Sequence, residues 1–492
     1  SSIWTGTIHQ FCMHFIIRPY AMYSEQLCHG YHIVDEFIKK QYLAEINSAL
    51  RIHATQSDLF SNPIIKAAYR ERLRSNKEID FDMILELSDT LLSEHPFIAE
   101  NISHIIRSIH VDEFQDTNAL QYSILAKIVQ ANKKINIMFV GDANQAIYSG
   151  LGGIAKTPEE LAHQFGVSFE TANLTGCYRS TQRIIDYYSN FEVVPSTIEA
   201  ISDIKNMQGT IFYDHTIYKD DLPHKIAQII LLHLSSGIPA HDICVVAPQW
   251  FQIYPLAKKL RDELPSVNFD APDIAPFKYD PMNPFYLLAK LFFTTPGTNV
   301  RVRKRIVSEF SDILESEYHV AFPEGYDTYS LLKIINSAPK NTNDGLMFYQ
   351  QAITHVFQHL RIPFEPETPL HKTYVSFLKK TEDRIRQFQL PYNCDDLYAY
   401  FKERDGVVIN TIHGIKGEEY TVVIGYDLLN GHLPNWNIIK NKNETLKLLY
   451  VLCSRAKSAL YLFSETGRTT RTGHPLTSTN ELYNVRYHYD TA

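Results

Sequence analysis

The segment NISHIIRSIHVDEF, residues 101–114, changes from helical spacing to a short apolar strand that ends in two carboxylates, Asp112 and Glu113. Apolar runs of strand length separated by amphipathic stretches are typical of parallel strands with crossover helices. The sequence therefore predicts an α/β fold. The other runs of this kind are INIMFVGD (135–142), GTIFYDH (209–215), DICVVAP (242–248), GVVINTIH (406–413), YTVVIGYD (420–427) and ALYLFSE (459–465).

Two stretches depart from this alternation. Residues 272–400 begin with several prolines and continue with long amphipathic segments such as RIVSEFSDILESEYHVAF. Residues 20–75 also have a helical pattern. We expect a mainly helical insertion at 272–400 and a smaller one at about 20–75.

The composition excludes several classes of protein. Of the 492 residues, 45% are hydrophobic and 21% charged, which is the balance of a globular chain. There is no apolar run of about 18 residues, so no membrane span is expected. Six scattered cysteines without a CxxC pair argue against a zinc site or disulfide framework, and they predict a cytoplasmic protein. The net charge of −8 argues only weakly against nucleic acid, because a local basic groove can form on an acidic protein.

The string IHVDEFQDTN, residues 109–118, carries the strongest chemical signal. Adjacent carboxylates after a strand suit nucleoside triphosphate hydrolysis, since Asp112 can hold Mg²⁺ while Glu113 orients and deprotonates the attacking water. A carboxylate pair in this place is also compatible with a helix cap or a solvated turn. The longer string DEFQDTN favours the catalytic interpretation.

Two further strings fit phosphate chemistry. FVGDANQAIYSGLGG (139–153) places Asp142 and Gln145 after a second strand, and a glutamine can hydrogen-bond both a γ-phosphate and water. LTGCYRSTQRI (174–184) places Arg179 before a helix, and an arginine stays protonated beside a transferring phosphoryl group. An ordinary strand-to-helix turn and a surface arginine are the alternatives.

These three strings, in this order, resemble the superfamily 1A DNA helicases of the UvrD/PcrA/Rep group. Four more stretches are similar to motifs of that group and extend the resemblance over most of the chain. GTIHQFC (6–12) resembles its TxH motif, and KEIDFDMILEL (77–87) resembles the segment before its Walker B strand. The remaining two are VINTIHGIKGEEYTVVI (408–424), similar to motif V, and ETLKLLYVLCSRAKSALYLF (444–463), similar to motif VI.

The resemblance implies roles for individual residues. Asp112 and Glu113 would be the metal site, with ATP and Mg²⁺ as the implied cofactors and Glu113 as the catalytic base. Gln145 would couple the γ-phosphate to DNA, and Arg179 and Arg455 would be arginine fingers. Asp142, Gly417 and Glu419 would complete the nucleotide site. Thr7, His9, Tyr148, Thr411 and His413 would contact DNA, although His9 and His413 could also be core histidines and Tyr148 and Tyr450 could pack in the core.

The match fails at two points. The family begins with a P-loop, GxxxxGK[ST], and the nearest string here, GLGGIAKT (150–157), is one glycine short and follows the Asp112 strand. We expect either a fragment that has lost its first segment, as an opening without Met suggests, or a natural form without a P-loop. After Tyr148 the family has a base-stacking Trp, and this chain has Ser149, Gly150, Leu151 and Gly152 instead.

The predicted architecture follows from this resemblance. Residues 1–170 would form a first RecA-like domain, incomplete at its N-terminus, while 171–271 and 401–492 would form a second and 272–400 an insertion of the 2B kind. The predicted function is ATP-dependent movement on single-stranded or partly duplex DNA in the 3′-to-5′ direction. The alternative is a scaffold or partner subunit without ATPase activity, for example beside a nuclease in phage defence, where GajB-type subunits are a weaker resemblance.

Overall fold

A computed structural model describes residues 3–34, 36–52, 59, 62–148, 152–271, 275–280, 282–297, 300–322, 325–366, 368–401, 405–436, 441–470 and 472–491. The chain divides into two compact units. Unit 1 comprises Ser1–Arg107, Leu120–Asn136 and Ala275–Lys402. Unit 2 comprises Ser108–Ala119, Ile137–Ile274 and Glu403–Ala492.

The strands are short in the first part of the chain and longer in the second. In chain order they are β1 (His32–Ile33), β2 (Glu78–Ile79), β3 (Ser108–Val111), β4 (Asn136–Phe139), β5 (Gly176–Cys177), β6 (Glu199–Ala200), β7 (Thr210–Asp214), β8 (Ile243–Ala247), β9 (Phe269–Asp270), β10 (Val407–Thr411), β11 (Tyr420–Gly425) and β12 (Ala456–Phe463).

Unit 2 is built on a six-stranded sheet with the order β7-β12-β11-β8-β10-β9, in which neighbouring strands are parallel. Every residue of β8 and β10 is buried. Strands of a parallel sheet are covered on both faces, which is why ICVVA of β8 and VVI at the start of β10 are continuous apolar runs and not alternating ones. The register sets Thr411 of β10 opposite Ala247 of β8, and Gly425 of β11 opposite Val246. The carboxyl ends of these three strands therefore lie side by side.

Strands β3 and β4 form a separate two-stranded sheet. The Val140 N–H donates to the Val111 carbonyl at 2.8 Å, and the Phe114 N–H donates to the Val140 carbonyl at 3.1 Å. This pairing brings the residues that follow each strand together, so that Asp112 and Asp142 belong to neighbouring chain segments.

Helices occur in both units and account for most of unit 1. In chain order they are α1 (Ile8–Cys12), α2 (Arg18–Tyr20), α3 (Glu36–Ala49), α4 (Pro63–Asn76), α5 (Phe81–Glu94), α6 (Pro96–Ile105), α7 (Ala119–Ala131), α8 (Pro158–Phe165), α9 (Gln182–Tyr188), α10 (Leu222–Ser235), α11 (Trp250–Glu263), α12 (Pro284–Phe292), α13 (Val300–Tyr318), α14 (Thr328–Asn336), α15 (Gly345–Leu360), α16 (Pro369–Phe388), α17 (Cys394–Phe401), α18 (Lys442–Cys453) and α19 (Asn480–Tyr483).

Helices α12 to α17 enclose an aromatic core of their own. Phe285, Phe293 and Tyr349 are fully buried in it, and the rings of Phe277 and Phe377 stack at a centroid distance of 5.8 Å. The helical pattern expected within 272–400 is thus present in the described residues. The domain boundaries at 170, 271 and 400 stay a prediction.

The α/β prediction is confirmed, since each predicted apolar run coincides with one of the strands β3, β4, β7, β8, β10, β11 and β12. Among the described residues, no helix is both long enough and apolar enough to cross a membrane.

Candidate functional site

The two predicted catalytic carboxylates stand at the carboxyl end of β3, and both are exposed. The Asp112 side chain accepts the Glu113 backbone N–H at 2.9 Å. Glu113 has a left-handed backbone, with φ 50° and ψ 43°. This conformation costs a residue other than glycine about 1 kcal/mol and is concentrated at functional sites. Here it turns the chain sharply, so that the Glu113 side chain leaves the strand end in a fixed direction.

The turn after β4 packs against the turn after β3. The Gln115 side chain accepts the Asp142 N–H at 3.1 Å, and its amide group donates to the Glu113 carboxylate. Gly141 makes this approach possible, because a Cβ there would collide with the side chains of Gln115 and Phe114. Gln145 in turn donates to the Asp142 carboxylate at 3.0 Å. Hydrogen bonds therefore link Glu113 to Gln145 through Gln115 and Asp142.

Lys416 is the central cation of the site. Its Nζ lies 2.5 Å from Asp116 Oδ2 and 3.5 Å from Glu113 Oε2, and it donates to the Gln145 carbonyl at 2.8 Å. The Lys416 side chain is 6% exposed, whereas that of Glu113 is 48% exposed. Burial raises the pKa of Asp116, and Lys416 opposes this shift. The lysine thus connects the loop after β10 to both turns of the β3–β4 sheet.

Arg455 is almost fully buried, at 1% exposure, and its guanidinium is aimed at Gln145. Its Nη2 donates to Gln145 Oε1 at 3.1 Å and to the Ser454 hydroxyl at 3.0 Å. Its Nε has no hydrogen-bond partner among the residues that the structure describes. Burial lowers the pKa of Arg455 to about 10, and the neighbouring Arg179 adds to this shift. A buried guanidinium with a spare donor is suited to receive an anionic oxygen.

Arg179 is less buried and forms an ion pair with Glu419. Its Nε donates to Glu419 Oε2 at 2.9 Å, and its Nη1 donates to the Ser454 carbonyl at 3.1 Å. Lys457 Nζ lies 3.2 Å from the other Glu419 oxygen. Both predicted arginine fingers therefore contact Ser454. Next to Arg179, Tyr178 is 78% exposed and presents an open aromatic ring to solvent.

We expect acid to weaken the fold through Glu419. The hydrogen bond from Arg179 holds the pKa of Glu419 below its usual value. A lowered carboxyl pKa adds stability above the unfolded-state pKa, and this stability is lost as the pH falls through the folded-state value. Urea unfolding from pH 7 to pH 3 should therefore show a larger loss for the wild type than for Glu419→Gln. Equal losses in the two proteins would contradict this linkage.

The remaining nucleotide residues and three predicted DNA residues also lie in unit 2. Gly417 has φ 85°, a left-handed value that favours glycine in the loop between β10 and β11. The Thr411 hydroxyl is turned inward, where it accepts the Gly414 N–H at 3.1 Å. The Tyr148 hydroxyl donates to the His413 carbonyl at 3.2 Å, and the two rings are 5.6 Å apart. Tyr450 is 2% exposed, and its ring packs on Tyr188 at 5.1 Å.

Thr7 and His9 belong to unit 1. Thr7 caps α1, since its hydroxyl accepts the Gln10 N–H at 3.2 Å and Gln10 returns a hydrogen bond to the Thr7 N–H. Desolvation lowers the pKa of His9, opposed by the Asp82 carboxylate. Both residues line a pocket of unit 1 together with Phe81 and residues of the helical insertion. Their role in DNA contact stays a prediction, as do the roles given above to the residues of unit 2.

The donor set fits a magnesium ion shared with phosphate. Mg²⁺ typically binds one or two carboxylates and completes its shell with water and phosphate oxygens. Asp112 and Glu113 supply two exposed carboxylates at one strand end. Among the described residues there is no cluster of three or more His, Cys, Asp or Glu side chains that could hold a metal alone.

Sequence reasoning missed several members of this network. The motifs quoted above contain Lys416, Asp116, Gln115 and Ser454, but the resemblance assigns a role to none of the four. The signal for three of them was the set of four polar residues around Phe114 in DEFQD and the lone lysine in GIKGEEY. What the sequence lacks is the register that brings the two strings together. Ser149, Gly150 and Leu151, where the family's stacking Trp is absent, lie outside the described residues.

Two family models and several known proteins are similar to parts of this chain. A family model of the UvrD/REP helicase N-terminal domain matches residues 38–166, and one of the UvrD-like helicase C-terminal domain matches residues 382–466. The ATP-dependent DNA helicase PcrA of Staphylococcus aureus is 22% identical over 457 residues, which cover 82% of this chain and 61% of PcrA. A probable DNA helicase II homolog of Mycoplasma genitalium is 23% identical over 434 residues, covering 80% and 60%. The chain thus spans about three-fifths of the length of these curated relatives.

Proposed function

This chain belongs to the UvrD-like superfamily 1A helicases, and from that premise we propose that the whole protein is an ATP-dependent DNA helicase or translocase. It would couple ATP hydrolysis to movement along single-stranded DNA, with 3′-to-5′ polarity. ATP-dependent DNA helicase is what the name of the Staphylococcus aureus relative states of that protein, whereas movement on single-stranded DNA and its polarity are implied by the resemblance of the motifs.

The observation that carries the proposal is the network around Lys416. One ammonium group contacts the predicted base Glu113, the carboxylate of Asp116 and the turn that holds Gln145, and Gln145 is in turn bonded to Arg455. An ion pair that only stabilises the fold does not require a half-exposed carboxylate on a left-handed backbone, as at Glu113. It does not require a buried guanidinium with an unused N–H donor either, as at Arg455. Both features suit a site that receives phosphate and water.

Each side chain then has a task in hydrolysis. Asp112 and Glu113 would hold Mg²⁺, which supplies charge neutralisation on the phosphates when it is bound. Glu113 would also take the proton of the attacking water. Arg179 and Arg455 would stabilise the negative charge that develops on the transferring phosphoryl group. Gln145 would change its hydrogen bonds when the γ-phosphate is bound or released, because its side chain contacts both Arg455 and Asp142.

The experiment is an ATPase and strand-displacement assay on the protein as its own cells produce it, with and without oligo(dT). We expect hydrolysis that DNA stimulates, and we expect Arg179→Ala to lower kcat by about 100-fold or more. Binding to oligo(dT) should stay within two-fold of wild type, as a loss of charge stabilisation alone requires. Arg70→Ala serves as control, because Arg70 forms an exposed ion pair with Glu86 in unit 1.

The same assay decides the alternative, a helicase-like scaffold or partner subunit. No hydrolysis by the cellular protein, with or without DNA, would support the scaffold and contradict the motor. Hydrolysis that Arg179→Ala leaves unchanged would instead remove the finger role of Arg179.

A further inference from the structure

Two histidines lie one turn apart on the solvent side of α15, in the helical part of unit 1. His355 and His359 are four residues apart in THVFQHL (354–360), so they project from the same face of the helix. Their ring centroids are 4.1 Å apart, and His355 is half-buried while His359 is exposed. Val356 and Phe357, between them in the chain, are buried in the aromatic core and hold the helix in place.

A hydrogen bond determines which ring nitrogen of His359 is free. Its Nδ1 lies 2.7 Å from the carbonyl oxygen of His355. A carbonyl oxygen can only accept a hydrogen bond, so Nδ1 carries the proton and donates it. The other nitrogen, Nε2, therefore keeps its lone pair in the neutral ring, and this lone pair is available to a metal ion.

A neighbouring helix makes the corresponding selection for His355. Its Nε2 lies 3.0 Å from the hydroxyl oxygen of Ser337, the residue that caps the end of α14. The Ser337 hydroxyl donates its own proton to the Ile334 carbonyl at 2.8 Å, so its oxygen accepts from Nε2. Nδ1 of His355 therefore keeps the lone pair. Burial, and then the neighbouring His359, lower the pKa of His355, which favours the neutral ring.

Both imidazoles thus have the surroundings of metal ligands. A histidine that binds a metal donates its other ring N–H to an oxygen, which fixes the orientation of the ring and makes the free nitrogen a better ligand. Here the two acceptors are a helix carbonyl and a serine hydroxyl that is itself hydrogen-bonded. Neutral imidazoles suit borderline divalent ions such as Zn²⁺, Ni²⁺ and Cu²⁺.

The position of the pair in the helix also favours a cation. Helix α15 has 16 residues and ends at Leu360, so His359 belongs to its last turn. The aligned peptide dipoles place a partial negative charge at this end of a helix, and a cation in the last turn is stabilised by it.

We propose that His355 and His359 form a binding site for one divalent transition-metal ion on the surface of unit 1. Metal–nitrogen distances of about 2.1 Å bring two ligand nitrogens to about 3–3.5 Å from each other. This separation fits rings whose centroids are 4.1 Å apart. Water would fill the remaining positions, so the site differs from the closed four-ligand zinc site that the cysteine pattern argues against. The proposal does not depend on the proposed function.

Isothermal titration calorimetry of the full chain with Ni²⁺ at pH 7 tests the site. The wild type should bind one more Ni²⁺ ion than His355→Ala or His359→Ala, because neither imidazole alone forms a chelate. Zn²⁺ should displace this ion. His104→Ala is the matched control and should bind as many ions as the wild type. His104 makes the same 2.7 Å contact to the carbonyl four residues before it, but the residue there is Glu100 and not a second histidine.

The hydrogen bond from His355 to Ser337 provides a second measurement. Ser337→Ala should weaken the binding of this Ni²⁺ ion by about ten-fold, which is the usual effect of removing a group that orients a metal ligand. Ni²⁺ should also raise the temperature of unfolding of the wild type more than that of His359→Ala, since an ion that binds the folded state stabilises it.

Equal numbers of bound Ni²⁺ ions in the wild type and in both histidine variants would overturn the site and leave two histidines that only stack on each other. An unchanged affinity in Ser337→Ala would contradict the assignment of Nδ1 as the free nitrogen of His355. Neither ATP nor DNA enters these measurements, so their outcome is separate from that of the proposed function.

Discussion

Glu113→Gln should lower the rate of ATP hydrolysis by about 100-fold to 10,000-fold, which is the usual contribution of a positioned general base. The amide keeps the size of the side chain and can still accept from Gln115, but it takes no proton from water. The measurement is steady-state ATPase at saturating oligo(dT) on the protein as its cells produce it. DNA affinity should remain within two-fold of wild type, since Glu113 is not among the predicted DNA residues.

A matched control separates this effect from a general loss of a carboxylate. Glu86→Gln removes a carboxylate from an exposed ion pair in unit 1 and should leave the rate unchanged. A Glu113→Gln protein that keeps more than a tenth of the wild-type rate would exclude Glu113 as the base.

The second large effect concerns stability. Lys416→Met removes the cation that faces Asp116 at 2.5 Å and Glu113 at 3.5 Å. Breaking a buried pair costs about 3–5 kcal/mol, because the remaining charge is left unpaired in a low dielectric. Asp116 retains 23% exposure, so we expect about 2 kcal/mol from urea unfolding at pH 7. The loss should shrink towards pH 5, because the pKa of Asp116 is already raised and rises further without the lysine.

The double variant identifies the interaction. Lys416→Met/Asp116→Asn should be more stable than Lys416→Met alone, with a coupling energy of about 1 kcal/mol or more. Lys127→Met is the control, since Lys127 pairs with Asp89 at a similar distance of 2.6 Å but its side chain is 27% exposed. Its cost should stay below about 1 kcal/mol. If Lys416→Met costs no more than Lys127→Met, the central role of Lys416 is wrong.

The fold was predictable to the extent that burial determines the sequence pattern. Strands β8 and β10 are covered on both faces, so the apolar run ICVVA identifies β8 and the apolar start VVI identifies β10. The strand order was not predictable, because nothing in a single run states which neighbour it pairs with. The two-residue strand β9 escaped notice, since so short a segment has no periodicity.

The local positions of Asp112 and Glu113 after β3, and of Arg179 before α9, were predictable because each follows from a short motif, while the catalytic roles of these residues stay predictions. The partners of these residues required the tertiary register. Lys416 is separated from Asp116 by 300 residues, and its bond to that carboxylate follows from how the strand ends meet. Local hydrogen bonds were not predictable either. The Thr411 hydroxyl accepts the Gly414 N–H, and a threonine in a motif similar to a DNA-binding one gives no sign of this bond.

The left-handed backbone at Glu113 places folding and activity in opposition at one residue. Glycine or asparagine adopts this conformation with less cost than glutamate, so either would relieve local strain and remove the carboxylate at the same time. Selection for thermal robustness alone would thus drive position 113 away from the residue that the proposed hydrolysis requires. A lineage that abandoned the proposed ATP turnover would be free to make that replacement.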